Sequence, residues 1–179
     1  MSNPWTDLKN DKKSALIEIY QWYYAELYNY GMRISQDEEI TRDCIHDLFI
    51  ELWSNRFKIS HIEEPKHYIF KMFRFITIDA LKKRNPFINP NDSHLHGPVL
   101  SEEDMLIDKE LSLERSNQLK LAMQRLSKRQ KEIIYLRFYS GLSYNEISKI
   151  TALKYQSIRN HFSNALKELR KILLKDTVV

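Results

Sequence analysis

The sequence has one cysteine among 179 residues, and only three glycines and five prolines. A lone thiol, Cys44, excludes an intramolecular disulfide and a cysteine-built zinc cluster, and it fits a reducing compartment. Glycine and proline serve tight hairpin turns, so their scarcity argues against a β-rich fold and for helices. No apolar run approaches the roughly 18–20 residues that span a bilayer. The opening MSNPWTDLKNDKKSA also lacks the apolar stretch of a secretion signal. A soluble, cytoplasmic protein without membrane insertion is expected. Missing too are a P-loop, a G-x-G-x-x-G turn, an H-E-x-x-H pair and a nucleophile elbow. No catalytic residue, cofactor or small-molecule substrate is therefore expected. His94 and His96 form an H-x-H pair with no third or fourth ligand near in sequence, so no metal is expected either.

What is present is apolar mass and an uneven charge. Hydrophobic residues make up 42% of the chain, enough to build packed cores. The net charge of +4 divides into 0 over residues 1–84, −6 over 85–114 and +10 over 115–179. A surplus of ten cations in 65 residues is the footprint of a polyanion-binding domain.

Helical periodicity predicts a first helix over about Lys12–Tyr30, with Leu16, Ile19, Tyr20, Tyr23, Leu27 and Tyr28 in register and Gly31 as its stop. Ser35 and Glu38 fit a capping box for a second helix. Its stripe is Ile40, Cys44, Ile45, Leu48, Phe49, Leu52 and Trp53, leaving Asp43, His46, Asp47 and Glu51 on the other side. Pro65 suits the first turn of a third helix, about Pro65–Arg84. Within it Phe70, Met72, Phe73, Phe75, Ile76 and Ile78 read as core. Residues 85–107 hold three of the five prolines and no apolar period, which reads as an acidic flexible linker.

Beyond the linker a helix is expected over about Asp108–Leu126. Ser127 and Gln130 form a capping box for the next, which Gly141 stops near Ser140. Ser143 and Glu146 form another, with Leu142 and Ile147 placed as a hydrophobic staple. That short helix ends near Ile150. A turn of about four residues leads to a longer helix, about Tyr155–Leu174, whose buried face is Ile158, Phe162, Ala165, Leu166, Leu169 and Leu173. A short capped helix, a tight turn and a longer helix make a helix-turn-helix, whose second helix enters the major groove. The outward residues are Lys154, Tyr155, Gln156, Ser157, Arg159, Asn160 and Ser163. Gln and Asn can pair with adenine through two hydrogen bonds, and Arg likewise with guanine. Lys149, Lys154, Lys167 and Arg170 suit phosphates, which position without specifying.

Three segments carry a family resemblance. DCIHDLFIELW (43–53) resembles the polymerase-clamp-binding helix of sigma factors. YIFKMFRFITIDALKKR (68–84) resembles the promoter-melting helix that follows it. RLSKRQKEIIYLRFYSGLSYNEISKITALKYQSIRNHFSNALKELR (125–170) resembles the C-terminal promoter-binding domain. Their order, with a short linker and no third domain, resembles the extracytoplasmic-function group of the sigma-70 family. The resemblance implies that Asp43, His46, Asp47 and Glu51 meet core RNA polymerase, with His46 standing where the family usually has glutamine. It implies that His61, Lys66, Tyr68, Lys71, Arg74, Lys82, Lys83 and Arg84 handle the minus-ten DNA strand, with Phe75 in a place often held by asparagine. Lys154, Tyr155, Gln156, Ser157, Arg159, Asn160, Ser163 and Lys167 would read the minus-thirty-five element. Ala152 replaces a glycine frequent in the turn, and His161 and Asn164 replace basic residues common in the recognition helix. An anti-sigma partner is implied as well, and a linker whose negative charge stands in for nucleic acid.

The expected fold class is all-α: two small helical domains, 1–84 and 108–179, joined by a flexible linker over 85–107, the second domain a helix-turn-helix. The expected function is promoter-specific initiation with core polymerase. The alternative is a helix-turn-helix DNA-binding regulator that works without polymerase.

Overall fold

The computed structural model describes residues 3–58, 64–85 and 112–173, with side chains in the last span from 118 onward. The chain separates into two compact units, Met1–Asp92 and Ser93–Val179. Among the described residues all regular structure is helical. The expectations placed on His61, His94 and His96, and on the linker after Asn85, lie outside the described residues.

The first unit begins with α1 (Pro4–Lys9), where the Asn3 side chain accepts from the Trp5 amide. Six residues are too few to carry periodicity and too short to hold as a free helix. Burial of Trp5 and Leu8 fixes it instead, with Trp5 edge-on to Tyr23 at 6.4 Å between ring centroids. Next comes α2 (Lys13–Ser35), which runs straight through Gly31 and ends at Gln36 in left-handed backbone, φ 55°. Gly31 is thus no stop. A Cβ there would lie 2.6 Å from Thr41 Cγ2 and 2.8 Å from Phe73 Cζ, so the glycine lets three helices approach closely.

The capping box expected from Ser35 and Glu38 is also replaced. Asp37 caps α3 (Glu38–Ser54), its carboxylate accepting from the Ile40 amide at 3.1 Å. Ser35 Oγ faces inward, accepting from the Asp37 amide at 3.1 Å and lying 2.8 Å from Thr41 Oγ1. Pro65 opens α4 (Pro65–Arg84) as expected. The unit's core is α2, α3 and α4 packed on one another, with α1 against α2. Tyr30 sits between these helices, 5.4 Å from the Phe70 ring and 6.2 Å from Phe73. Each fully buried side chain of this size is worth about 1.5–3 kcal/mol.

The second unit contains α5 (Ser112–Gln124), α6 (Lys128–Ile134) continued by a π-helical turn Tyr135–Tyr139, α7 (Tyr144–Thr151) and α8 (Tyr155–Leu173). Its core gathers Ala122, Met123, Leu126, Ile134, Ala165 and Leu169. Both expected capping boxes form. Gly141, at φ 69°, ends the π turn, and Leu142 and Ile147 are buried at the staple positions. Ala152 takes the left-handed corner between α7 and α8 at φ 57°.

The Ser143 hydroxyl accepts from the Glu146 amide while Glu146 Oε2 accepts from the Ser143 amide. Ser143→Ala removes one half of this reciprocal pair. It should cost about 1 kcal/mol and lower the melting midpoint of this unit by about 4–8 °C, read by thermal circular dichroism. An unchanged midpoint would mean that the box contributes nothing.

Candidate functional site

Asp43, His46, Asp47 and Glu51 are all exposed and follow one another at i, i+3, i+4 and i+8 along α3. Cys44, Ile45, Leu48 and Leu52 anchor the opposite side. The stripe therefore offers acid to a partner without loosening the core. Burial pushes the Cys44 thiol up to about 11, helped by the charges of Asp47 and Asp43 and opposed by a hydrogen bond with Thr77, so it stays protonated and unreactive. The acid edge abuts the basic end of α4. Lys83 is held above the usual lysine range by its hydrogen bond to Asp79, then by the Asp79 charge, with Asp47 contributing.

On α4, Lys71, Lys82, Lys83 and Arg84 are exposed and Tyr68 is half-buried. Burial raises the Tyr68 pKa first, and the Glu51 charge adds to it. Arg84 donates to Asp37 Oδ2 at 2.6 Å, tying the end of α4 to the cap of α3. The Asp37 carboxyl lies below its ordinary value chiefly because the Ile40 amide donates to it, and next because Arg84 does. Lys66 is committed to Glu26 at 2.7 Å. Two expectations change here. Arg74 is only 8% exposed; its register turns it into the helix bundle, so it does not join the exposed cations. Phe75, read as core, is 73% exposed. Phe70, Phe73 and Ile78 are buried as expected, and Met72 and Ile76 are half-buried.

In the second unit, Lys154, Tyr155, Gln156, Arg159, Asn160, Ser163 and Lys167 are exposed, and Ser157 is half-buried. Ile158 and Ala165 turn the opposite way, into the core. The Gln156 amide nitrogen donates to Asn160 Oδ1 at 3.0 Å, holding the two exposed amide side chains together. Behind them Tyr144 meets Tyr155 and Phe162 edge-on, at 6.2 and 5.4 Å, and the Arg137 guanidinium lies 5.2 Å over the Tyr144 ring. Tyr144 and Arg137 thus brace the N-terminal half of α8. His161 is pushed down, by burial first and by the Arg129 charge second, which favours its neutral form.

A family model described as Sigma-70, region 4 matches residues 116–169, from α5 through most of α8. Over a longer stretch the chain is 20% identical to ECF RNA polymerase sigma factor SigK of Mycobacterium tuberculosis, across 162 residues covering 90% of this chain and 87% of that one. ECF RNA polymerase sigma factor RpoE of Cereibacter sphaeroides is 26% identical over 165 residues, 89% of this chain and 86% of that one. The chain is thus similar to region 4 of sigma-70 proteins over 116–169 and, more distantly, to named extracytoplasmic-function sigma factors along about nine tenths of its length. Two solved structures share this chain's fold at a TM-score of 0.63. CnrH in complex with the cytosolic domain of CnrY is 13% identical, covering 97% of this chain and 96% of that chain. RpoE in complex with the anti-sigma factor NepR from Bartonella quintana is 20% identical, covering 87% and 94%.

One feature of the second unit was not foreseen. An apolar groove of about 360 Å³ opens along α8, lined by Leu119, Met123, Ile134, Phe138, Leu169 and Leu173. The surplus of apolar residues in IIYLRFY, beyond what one buried stripe needs, is the signal that could have revealed it.

Proposed function

We propose that this chain is a sigma factor of the extracytoplasmic-function group that binds core RNA polymerase and directs promoter-specific initiation, α8 reading the minus-thirty-five element and α4 handling the minus-ten strand. The observation that carries the reading is the exposed face of α8, Gln156, Arg159, Asn160 and Lys167, braced within the segment that matches region 4. Relatives named as sigma factors along about nine tenths of the chain support extending it to the first unit. The acidic stripe of α3 is a dock for a basic surface of the polymerase clamp, where complementary charge sets register and encounter rate. Residues 1–84 grip the polymerase and 108–179 hold DNA, with the acidic stretch 85–107 between them occupying the path of nucleic acid. Reaction chemistry belongs to the polymerase active centre, so the factor is no enzyme, and it acts in the cytoplasm where polymerase works. That a structure of similar fold is bound to an anti-sigma factor supports a protein inhibitor for this chain as well.

Run-off transcription from genomic fragments with core polymerase, with and without the factor, tests the reading. Discrete start sites should appear only when it is added. Asp43→Lys with Asp47→Lys should weaken co-elution with core polymerase by about 30-fold or more, because like charges would face each other across the dock. Its melting curve should not change, since both side chains are exposed. Binding of duplex operator without any gain of initiation would sink the proposal in favour of a polymerase-independent regulator.

A further inference from the structure

Neither the acidic stripe of α3 nor the polar face of α8 includes the apolar groove of the second unit. Three walls form it: α5 gives Leu119 and Met123, the π turn gives Phe138 and Tyr139, and α8 gives Leu166 and Leu173. Water contact with so much hydrocarbon brings no stability. At about 360 Å³ the groove falls within the range of pockets that hold small molecules. One wall is unusual in its making. A π-helical turn is rare, and such turns recur at functional sites. In this one Phe138 is 62% exposed and Tyr139 43%, and both line the groove. Phe138 is propped on Phe162 at 5.6 Å and Tyr139 stacks on Tyr135 at 5.4 Å. Both rings are therefore held in place although they face water.

Among the described residues one charged side chain lines the groove, Arg170, and no carboxylate does. Arg170 is exposed and forms no ion pair among the described residues, and residues 115–179 carry a net charge of +10. A trough of hydrocarbon with one open cation, set in a cationic domain, is complementary to an anion with an apolar tail. A helix about 10 Å across and two turns long fills about 800 Å³, more than twice the groove, whereas a single alkyl chain fits lengthwise. We propose that this groove is a binding site for a free single-chain fatty acid, its tail between α5, the π turn and α8, its carboxylate at Arg170. The two aromatic rings already stand against the tail, so little side-chain ordering opposes binding. Met123, unbranched and adaptable, fits an irregular chain. The head stays in water at the rim, where Arg170 selects an anion more than it adds affinity. Because the tail touches three elements at once, occupancy ties the end of α8 to the rest of its unit.

The test uses the full chain and dodecanoate, with dodecanol as the neutral match and butyrate as the short one. Calorimetry should give one dodecanoate site with a dissociation constant on the order of 10 µM, and no butyrate binding. At free dodecanoate 100 times that constant, the folded-to-unfolded ratio of the second unit in urea should rise about 100-fold. Phe138→Ala should weaken dodecanoate and dodecanol alike, by about 10-fold. Arg170→Gln should weaken dodecanoate about 5-fold and leave dodecanol unchanged. Both side chains are exposed, so circular dichroism should show each variant folded, and the contrast between the two ligands separates a lost contact from a lost fold. Equal dodecanoate binding by the native chain and Phe138→Ala would overturn the site. Uptake onto phosphatidylglycerol vesicles without binding of free dodecanoate would overturn it in favour of a membrane surface. Absence of dodecanoate binding, with Phe138 protected from hydroxyl-radical oxidation once core polymerase is added, would make the groove a protein dock instead.

Discussion

Gln156→Ala combined with Arg159→Ala should lower promoter-selective initiation by about 100-fold or more while leaving core-polymerase affinity within twofold. The two side chains stand on the exposed face of α8, one turn apart, with Ile158 turned into the core between them. A good bidentate pair to a base is worth about 1–3 kcal/mol of discrimination, so losing two removes most of the margin between promoter and bulk DNA. The hydrogen bond from Gln156 to Asn160 sharpens the expectation, because the amide is already aimed and little ordering is needed on binding. Lys167→Ala provides the contrast. A phosphate contact should weaken all sequences alike and reduce the salt slope by about one. Should the double variant select promoters normally, or lose core binding in parallel, α8 is not the reading head.

Gly31→Val should destabilise the first unit by about 2–3 kcal/mol, seen as a fall of roughly 10–20 °C in its melting midpoint. The added Cβ alone would meet Thr41 Cγ2 at 2.6 Å and Phe73 Cζ at 2.8 Å. Neither neighbour can give way: Thr41 is branched at Cβ, fully buried and close to Ser35 Oγ, and Phe73 is packed against Tyr30. Gly31→Ala is the milder member of the pair, since alanine recovers about 1 kcal/mol of helix propensity. A melting point that rises for Gly31→Ala would show that the close approach of α2 to α3 and α4 relaxes freely.

The elements that could be read from sequence were those where one physical signal stood alone. Pro65 and the run ending in Arg84 bound α4 because proline opens a helix and no later residue competes. Ser127 with Gln130 and Ser143 with Glu146 closed as capping boxes because each pair has only one geometry open to it. Gly31 misled because glycine serves two ends, a left-handed cap and a close approach, and the sequence does not say which. Ser35 and Asp37 are both good caps by type; Asp37 wins because Ser35 finds inward partners in Gly31 and Thr41. On α4 aromatic residues surround the axis, so periodicity could not separate exposed Phe75 from buried Phe70 and Phe73, nor foresee that Arg74 turns inward. Nothing local marks the π turn at Tyr135–Tyr139, which depends on how α6 meets its neighbours. The exposed polar face of α8 was legible because polar and apolar positions separate cleanly there. Its bracing by Arg137 and Tyr144 was not, being a contact between residues distant in sequence.

The alanine at the corner between α7 and α8 has a consequence for how this domain diversifies. Left-handed backbone costs a residue with a Cβ about 1–2 kcal/mol, so Ala152 holds its φ of 57° only because the surroundings insist. On either side of the hinge, Ile147, Ile150 and Ile158 are buried and hold the two helices to the core. Drift in that hidden trio would re-aim the exposed face of α8 without touching a single residue on it.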